Sequence, residues 1–437
     1  MNRTKAIIAL IFPAVILFGY LNIADIRVFG LVLTIGRVFI PVICLYLIIY
    51  EKQKGYSIIP APRTKERMLL IVIAIWVIYA GITLFVMPYV DLHTGVNEII
   101  ALLLGSLTII SVVILCRNGE WNKVLIGIRI VVAITLVIGI CELTTGNHLS
   151  TSRYCDPEFL KLSKALLGDE ADSVRWYIAT SIFYNENDYS AMLAVFAPLL
   201  VCGKPCKNKI EKGTGIVLLC FCLAILYFNN AFICAIAFAV GILIVLAMGI
   251  KDNRERLTII LSLTITRITI LLLEKKLMLA LGLGDTLAIQ VEKMDEGIGS
   301  LTYRLNTYKI TIIETFVTGK GIGFGPGSFS NYFSRFTESE SMMSNPHCFW
   351  LEILAEYGML ILLMFATALV LIMASLIAKY LQTKEAQFAA IIASGVSLII
   401  ASVAPSAYLK YAYYWIPIAL AVYLADYYEI QKKAGED

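Results

Sequence analysis

Arg37 and Arg267 interrupt the apolar runs LTIGRVFIPV and SLTITRITILLL, where a guanidinium is costly enough to be a functional candidate by default. Arginine grips a phosphate through paired N–H bonds and keeps its charge at every relevant pH. Either residue could therefore bind a phosphate near the outer face. The structural alternative is a snorkelling or paired side chain, stronger for Arg267 because its span ends soon after. Arg175 and Arg304 stand in more polar stretches, VRWYIATSIFYNENDYSAML and GSLTYRLNTYKITIIETFVTGKGIGFGPGSF. One of the three histidines, His347, lies in SNPHCFWLEILAEYG, and a neutral imidazole can take a proton from a hydroxyl near neutral pH. Pro346 disfavours helix at Asn345 and can start one, so His347 is expected in the first turn of a helix. The alternative for it is a satisfied histidine at a helix start.

Gly321, Gly323, Gly325 and Gly327 stand between Arg304 and His347. Their N–H groups could cradle a phosphate, but no strand precedes them and no Walker-type lysine follows, so a tight turn at the membrane surface is the favoured reading. No Cys or His spacing suggests zinc. The nearest approach to a divalent-cation site, Glu186, Asn187 and Asp188, does not make one, so no metal and no cofactor are expected. Arg153, Lys275 and Lys276 read as solvated charges, GDEAD at 168 to 172 as an acidic surface helix, and no disulfide is expected between Cys155 and Cys348.

The elements that must position these groups are membrane helices. The 437 residues are 59% hydrophobic and 16% charged, with a mean hydropathy of +0.80, well above a soluble domain. The expected fold is all-α, one polytopic membrane domain over residues 1–437. It has about twelve spans, roughly 6 to 24, 28 to 49, 68 to 88, 97 to 116, 124 to 142, 186 to 202, 214 to 229, 231 to 250, 257 to 273, 349 to 378, 386 to 404 and 412 to 428. Lys and Arg crowd alternate short loops, for example Lys52, Lys54, Arg63, Lys65 and Arg67, or Lys204, Lys207, Lys209 and Lys212. The positive-inside rule then puts both termini in the cytoplasm. The two long polar segments, 143–185 and 274–348, fall outside the membrane on the opposite face. No cleavable signal peptide is evident. The net charge of +4 follows from the inner loops and gives no reason to invoke nucleic acid.

The motifs in those two segments resemble the O-antigen polymerase and O-antigen ligase family of bacterial envelope proteins. That family's pattern has an Arg and then Phe-x-Asn-x-Asn before one span. Further on come an Arg with an aromatic four residues later, Gly-x-Gly-x-Gly after a short helix, and a His-Asn opening the next span with a Glu and a Gly downstream. Here the matching positions are Arg175, Phe183, Asn185 and Asn187, then Arg304, Tyr308, Gly321, Gly323, Gly325, His347, Glu356 and Gly358. Tyr308 stands where Trp is more usual, Glu186 where Pro is often found, and Cys348 replaces the Asn after the His.

The resemblance implies a glycosyltransferase in the bacterial cytoplasmic membrane; with arginines available for the pyrophosphate the transfer is expected to be metal-independent, and one direct displacement with His347 as base would make it inverting. Its donor would be a glycan on undecaprenyl pyrophosphate, its acceptor a glycan hydroxyl, and its setting capsule or other cell-envelope polysaccharide biosynthesis. Arg304 and Arg175 are the expected pyrophosphate grips, with Arg37 and Arg267 as further candidates. His347 is the expected general base. Asn185, Asn187 and the glycines would shape the loops. Beyond membrane lipids, a chain-length regulator is a candidate partner. A ligase acting on another acceptor, or a non-enzymatic carrier of the same lipid-linked glycan, are the alternatives; against the carrier, no halves with matched broken helices are evident.

Overall fold

Where apolar residues continue with little polar punctuation, the backbone closes its own hydrogen bonds as helix. The structure, a computed structural model, describes residues 3–28, 31–55, 60–161, 178–201, 209–281, 300–336, 345–405, 409 and 411–428; Arg175 and the acidic stretch 168–172 lie outside them. The helices are α1 (Arg3–Leu17), α2 (Ile35–Gln53), α3 (Lys65–Val86), α4 (Leu92–Leu115), α5 (Trp121–Thr145), α6 (Glu186–Val201) and α7 (Lys209–Phe228). They continue with α8 (Phe232–Ile244), α9 (Asn253–Leu281), α10 (Ser300–Val317), the short α11 (Phe329–Phe333), α12 (Phe349–Thr383), α13 (Ala386–Ala401) and α14 (Trp415–Asp426). Among the described residues five segments are long and apolar enough to cross a membrane: Lys65–Val86, Leu92–Thr145, Lys209–Phe228, Phe232–Gly249 and Phe349–Thr383. Ile78, Ile82 and Phe85 of α3 and Leu360, Leu363 and Val370 of α12 are exposed. Such side chains suit lipid better than water.

Helix α6 is buried at every residue but Asn187 and packs against α7, α8 and α13. Small residues let these backbones approach: Gly215 of α7 lies against the Leu200 carbonyl, and Gly241 of α8 against Ser397 of α13. Asp426 at the end of α14 accepts hydrogen bonds from the Lys65 and Glu66 N–H groups, 3.0 and 2.8 Å, so the last helix caps the third.

Three features differ from the sequence expectation. A two-stranded antiparallel ribbon, β1 (Asn22–Val28) and β2 (Leu31–Thr34), joins α1 to α2. The β-branched content of NIADIRV and LVLT favours strand there over an extension of helix. The 274–348 segment is largely helical where described, since α9 runs on to Leu281 and α10 fills Ser300–Val317. The third is at His347, which lies before the helix and not in its first turn: its φ is +46°, and Cys348, extended, is the N-cap of α12. The Phe349 N–H is taken by the Ser402 carbonyl at 2.9 Å and the His347 carbonyl by the Tyr308 hydroxyl at 3.2 Å, and these tertiary bonds outweigh the helix-starting tendency of Pro346.

Candidate functional site

Helix α10 presents Arg304 and Tyr308 one turn apart, on the same face, toward the backbone between α13 and α14. Arg304 donates through Nη1 to the Val403 carbonyl at 3.0 Å, while its Nε is buried without a partner. Tyr308 donates to the carbonyls of His347 and Val403, 3.2 and 3.5 Å, and burial pushes its phenol up to about 12. It therefore stays a hydroxyl donor and fixes the His347 backbone. A left-handed histidine is uncommon, and its strain of about 1 kcal/mol or more persists only when the surroundings impose it. The imidazole is largely buried. Its Nδ1 has no hydrogen-bond partner, and the ring bonds to the backbone at Ala404, so the remaining nitrogen, Nε2, carries the proton toward that carbonyl. This tautomer leaves the Nδ1 lone pair open, as a base requires. Burial, then the Arg304 and Arg153 guanidiniums, push the imidazole down to about 4.

The glycines serve another purpose. Gly358 breaks α12 with φ 79° and ψ 175°, which frees the carbonyls one turn earlier. The glycine turn fills that break: Phe324 N–H donates to Ala355 O at 2.8 Å, Gly325 N–H to Glu356 O at 2.9 Å, and Met359 N–H to Gly321 O at 2.9 Å. The Glu356 carboxylate accepts from Gly327 N–H and Phe329 N–H, 2.9 and 3.3 Å. Gly323 has φ +81°, and a Cβ there would stand 2.7 Å from both Glu356 O and Gly358 N, so only glycine fits. Gly321, Gly323 and Gly325 thus form a tight turn clasped to α12. The Phe324, Gly325 and Gly327 N–H groups are spent on that clasp and do not cradle an anion.

In the first segment Glu142, buried at the end of α5, accepts from Thr180 N–H and Ser181 N–H at 2.7 and 2.6 Å. Asn229 clamps Ala179 on both sides, N–H and C=O, at 2.8 Å each. Phe183 is fully buried among the rings of Tyr20, Tyr189, Tyr411 and Tyr413. The Asn185 side chain accepts from Asp188 N–H at 2.9 Å and caps α6. Asn187 is half-buried, and its carbonyl faces the Cys234 thiol, 3.9 Å away. Asp188 is buried and accepts from the Tyr411 hydroxyl at 2.6 Å.

Arg153, expected to be a solvated charge, is instead part of this site. Its side chain is 26% exposed, its Nη2 lies 2.6 Å from Glu186 Oε1, and its guanidinium lies 5.1 and 4.8 Å from the ring centres of Tyr154 and Phe159. Its charge acts on His347. Cys234 of α8 lies within electrostatic reach of both Arg304 and Asp188. Charge therefore couples the two polar segments: Arg153 of the first and Arg304 of the second both act on His347, and Arg304 and Asp188 both act on Cys234.

Arg37 and Arg267 are engaged elsewhere. Arg37 donates to the Val32 carbonyl at 2.7 Å and to the Asn97 side chain, tying α2 to the ribbon and to α4. Arg267 is exposed and stacks 4.0 Å over the Tyr227 ring. Sequence reasoning also missed Arg129 of α5, which donates to the Leu200 carbonyl at 2.6 Å near the C-terminus of α6. Cys155 and Cys348 are free thiols, one exposed and one buried. No model of a known protein family matches the chain, and no curated protein does so either.

Proposed function

We propose that this protein is a membrane glycosyltransferase that polymerises glycan repeat units carried on undecaprenyl pyrophosphate at the outer face of the bacterial cytoplasmic membrane. The observation that carries the reading is His347, its Nδ1 lone pair unengaged, within electrostatic reach of the Arg304 and Arg153 guanidiniums of the two polar segments. Its Nδ1 takes the proton of an acceptor hydroxyl while that oxygen bonds to the donor's anomeric carbon. The bond from that carbon to the pyrophosphate oxygen breaks, and the leaving group departs as an anion toward Arg304 and Arg175. One displacement inverts the sugar carbon and needs no covalent intermediate. The twelve apolar stretches are read as crossings, with both termini in the cytoplasm and segments 143–185 and 274–348 outside; on that reading the site meets the donor's sugar in water while its lipid stays in the bilayer. Polymerisation is preferred to ligation because it occurs in a wider range of envelopes, and both share the chemistry. The test is transfer in vitro by purified protein given lipid-linked donor alone. A ladder of longer lipid-linked glycans supports a polymerase, a product formed only with a second acceptor supports a ligase, and movement of donor across vesicles without any new glycosidic bond refutes the enzyme.

A further inference from the structure

Resting on the glycosyltransferase reading, we propose that Arg153 is a phosphate-binding residue of the site, held in reserve by Glu186, and that a phosphate group of the donor replaces Glu186 on its guanidinium. Arg153 and Glu186 are joined by a single contact, Nη2 to Oε1 at 2.6 Å. Nε lies on the same edge of the guanidinium as Nη2, yet it is buried without a partner. Nη2 divides its two hydrogens between Glu186 and the Tyr154 hydroxyl, 3.0 Å away, so Glu186 leaves Nε unused, and a tetrahedral oxyanion in its place can put one oxygen on Nε and another on Nη2.

Tyr154 and Phe159, themselves packed edge to face at 5.5 Å, both lie against the guanidinium, and the Arg153 backbone N–H is fixed to the Tyr184 carbonyl at 2.8 Å. The fork is therefore aimed before any ligand arrives. Glu186 has somewhere to go when displaced. It sits in the first turn of α6, where the helix dipole favours a carboxylate, and the Tyr154 hydroxyl lies 3.5 Å from its Oε2. The position of Arg153 matters as well, because its charge already reaches His347. An anion seated on Arg153 then acts on the proposed base with the opposite sign to the guanidinium it covers. Until it arrives, Glu186 covers the charge and discourages other anions.

The test is binding to the full-length protein in nanodiscs, followed by calorimetry with inorganic pyrophosphate and with geranylgeranyl pyrophosphate as probes. Glu186→Gln, nearly isosteric, should tighten binding about tenfold by removing the competing charge, and Arg153→Gln should weaken it about tenfold. In the double variant the Glu186→Gln gain should vanish, because it acts only through Arg153. Equal gains with both probes would mean that the phosphate alone is recognised, and a gain confined to the prenyl probe would mean a lipid-borne phosphate; both support the proposal. Should Arg153→Gln fail to fold, Arg153→Lys keeps the charge without the fork and should still lose the gain. Unchanged or weaker binding in Glu186→Gln, with Arg304→Gln still abolishing it, would overturn the proposal and make the pair a structural bridge. If the wild-type protein and every variant fail to bind either probe, the glycosyltransferase reading falls with it.

Discussion

The placement of His347 predicts an unusual acid limit for the reaction. An ordinary histidine, near 6.5, would be about 3% neutral at pH 5, whereas one pushed down to about 4 is about nine-tenths neutral there. Transfer measured as kcat/KM reports the free enzyme, so the wild-type protein should keep most of its kcat/KM at pH 5 and lose it only as the pH approaches 4. Part of the depression comes from the Arg304 and Arg153 charges, and an anionic pyrophosphate bound to them offsets both. The limb seen in kcat, which reports the complex, should therefore lie at higher pH than the limb in kcat/KM. His347→Gln should lower transfer about 10²- to 10⁴-fold, the usual scale of general-base help, and should abolish the limb. The assay is initial-rate transfer from a labelled lipid-linked donor between pH 4 and 8. A limb in kcat/KM near 6.5, or one that persists in His347→Gln, would refute the assignment. The same group links folding to pH. The unfolded chain takes up this proton near 6.5 and the folded one only near 4, so stability falls as the pH drops through that window, by a total of about 3 kcal/mol for this residue.

Arg304→Lys keeps a charge but loses the planar fork, so transfer should drop at least tenfold with insertion unchanged; near-normal rates in both Arg304→Lys and Arg175→Ala would assign these arginines to surface solvation. Gly323→Ala puts a Cβ 2.7 Å from two backbone atoms of α12 at φ +81°, and the left-handed strain plus overpacking should cost about 3 kcal/mol. A thermal melt equal to that of the wild type would show that the clasp does not hold the turn. Ser339→Cys should react with an impermeant maleimide added outside intact cells, and labelling only after the membrane is opened would overturn the topology and the outward-facing site together.

Much of the frame was legible because helices announce themselves locally. Each apolar run carries its own hydrogen bonds, and caps such as Thr64 and Asp91 accept from N–H groups three residues on. The ribbon at Asn22–Thr34 was not legible, since a short β-branched stretch beside a span reads as more span. His347, Arg304 and Tyr308 could be picked out by type and spacing, but the backbone of His347 could not, because its conformation is set by Ser402 and Tyr308, far away in sequence. Arg153 was missed for the same reason. It lies 33 residues from Glu186, no periodicity links the two, and an arginine in a polar loop looks solvated until a partner folds against it. Its signal, if any, was the company of Tyr154 and Phe159, aromatic faces on which a guanidinium stacks.

The motif residues divide into those that hold the frame and those left available for chemistry, and hydrogen-bond accounting separates them. Glu356 and the glycine turn close the break that Gly358 opens in α12, and their polar groups are consumed in doing so. Asn185 and Asn229 are consumed likewise, fastening the approach to α6. After those bonds are assigned, buried nitrogens without a partner among the described residues include Nε of Arg153, Nε of Arg304 and Nδ1 of His347. Burying a polar group without a partner costs a folded protein stability, and of the three side chains that carry such atoms both arginines act on the histidine. On the glycosyltransferase reading, that cost is offset when a substrate supplying phosphate oxygens and a hydroxyl proton enters between them.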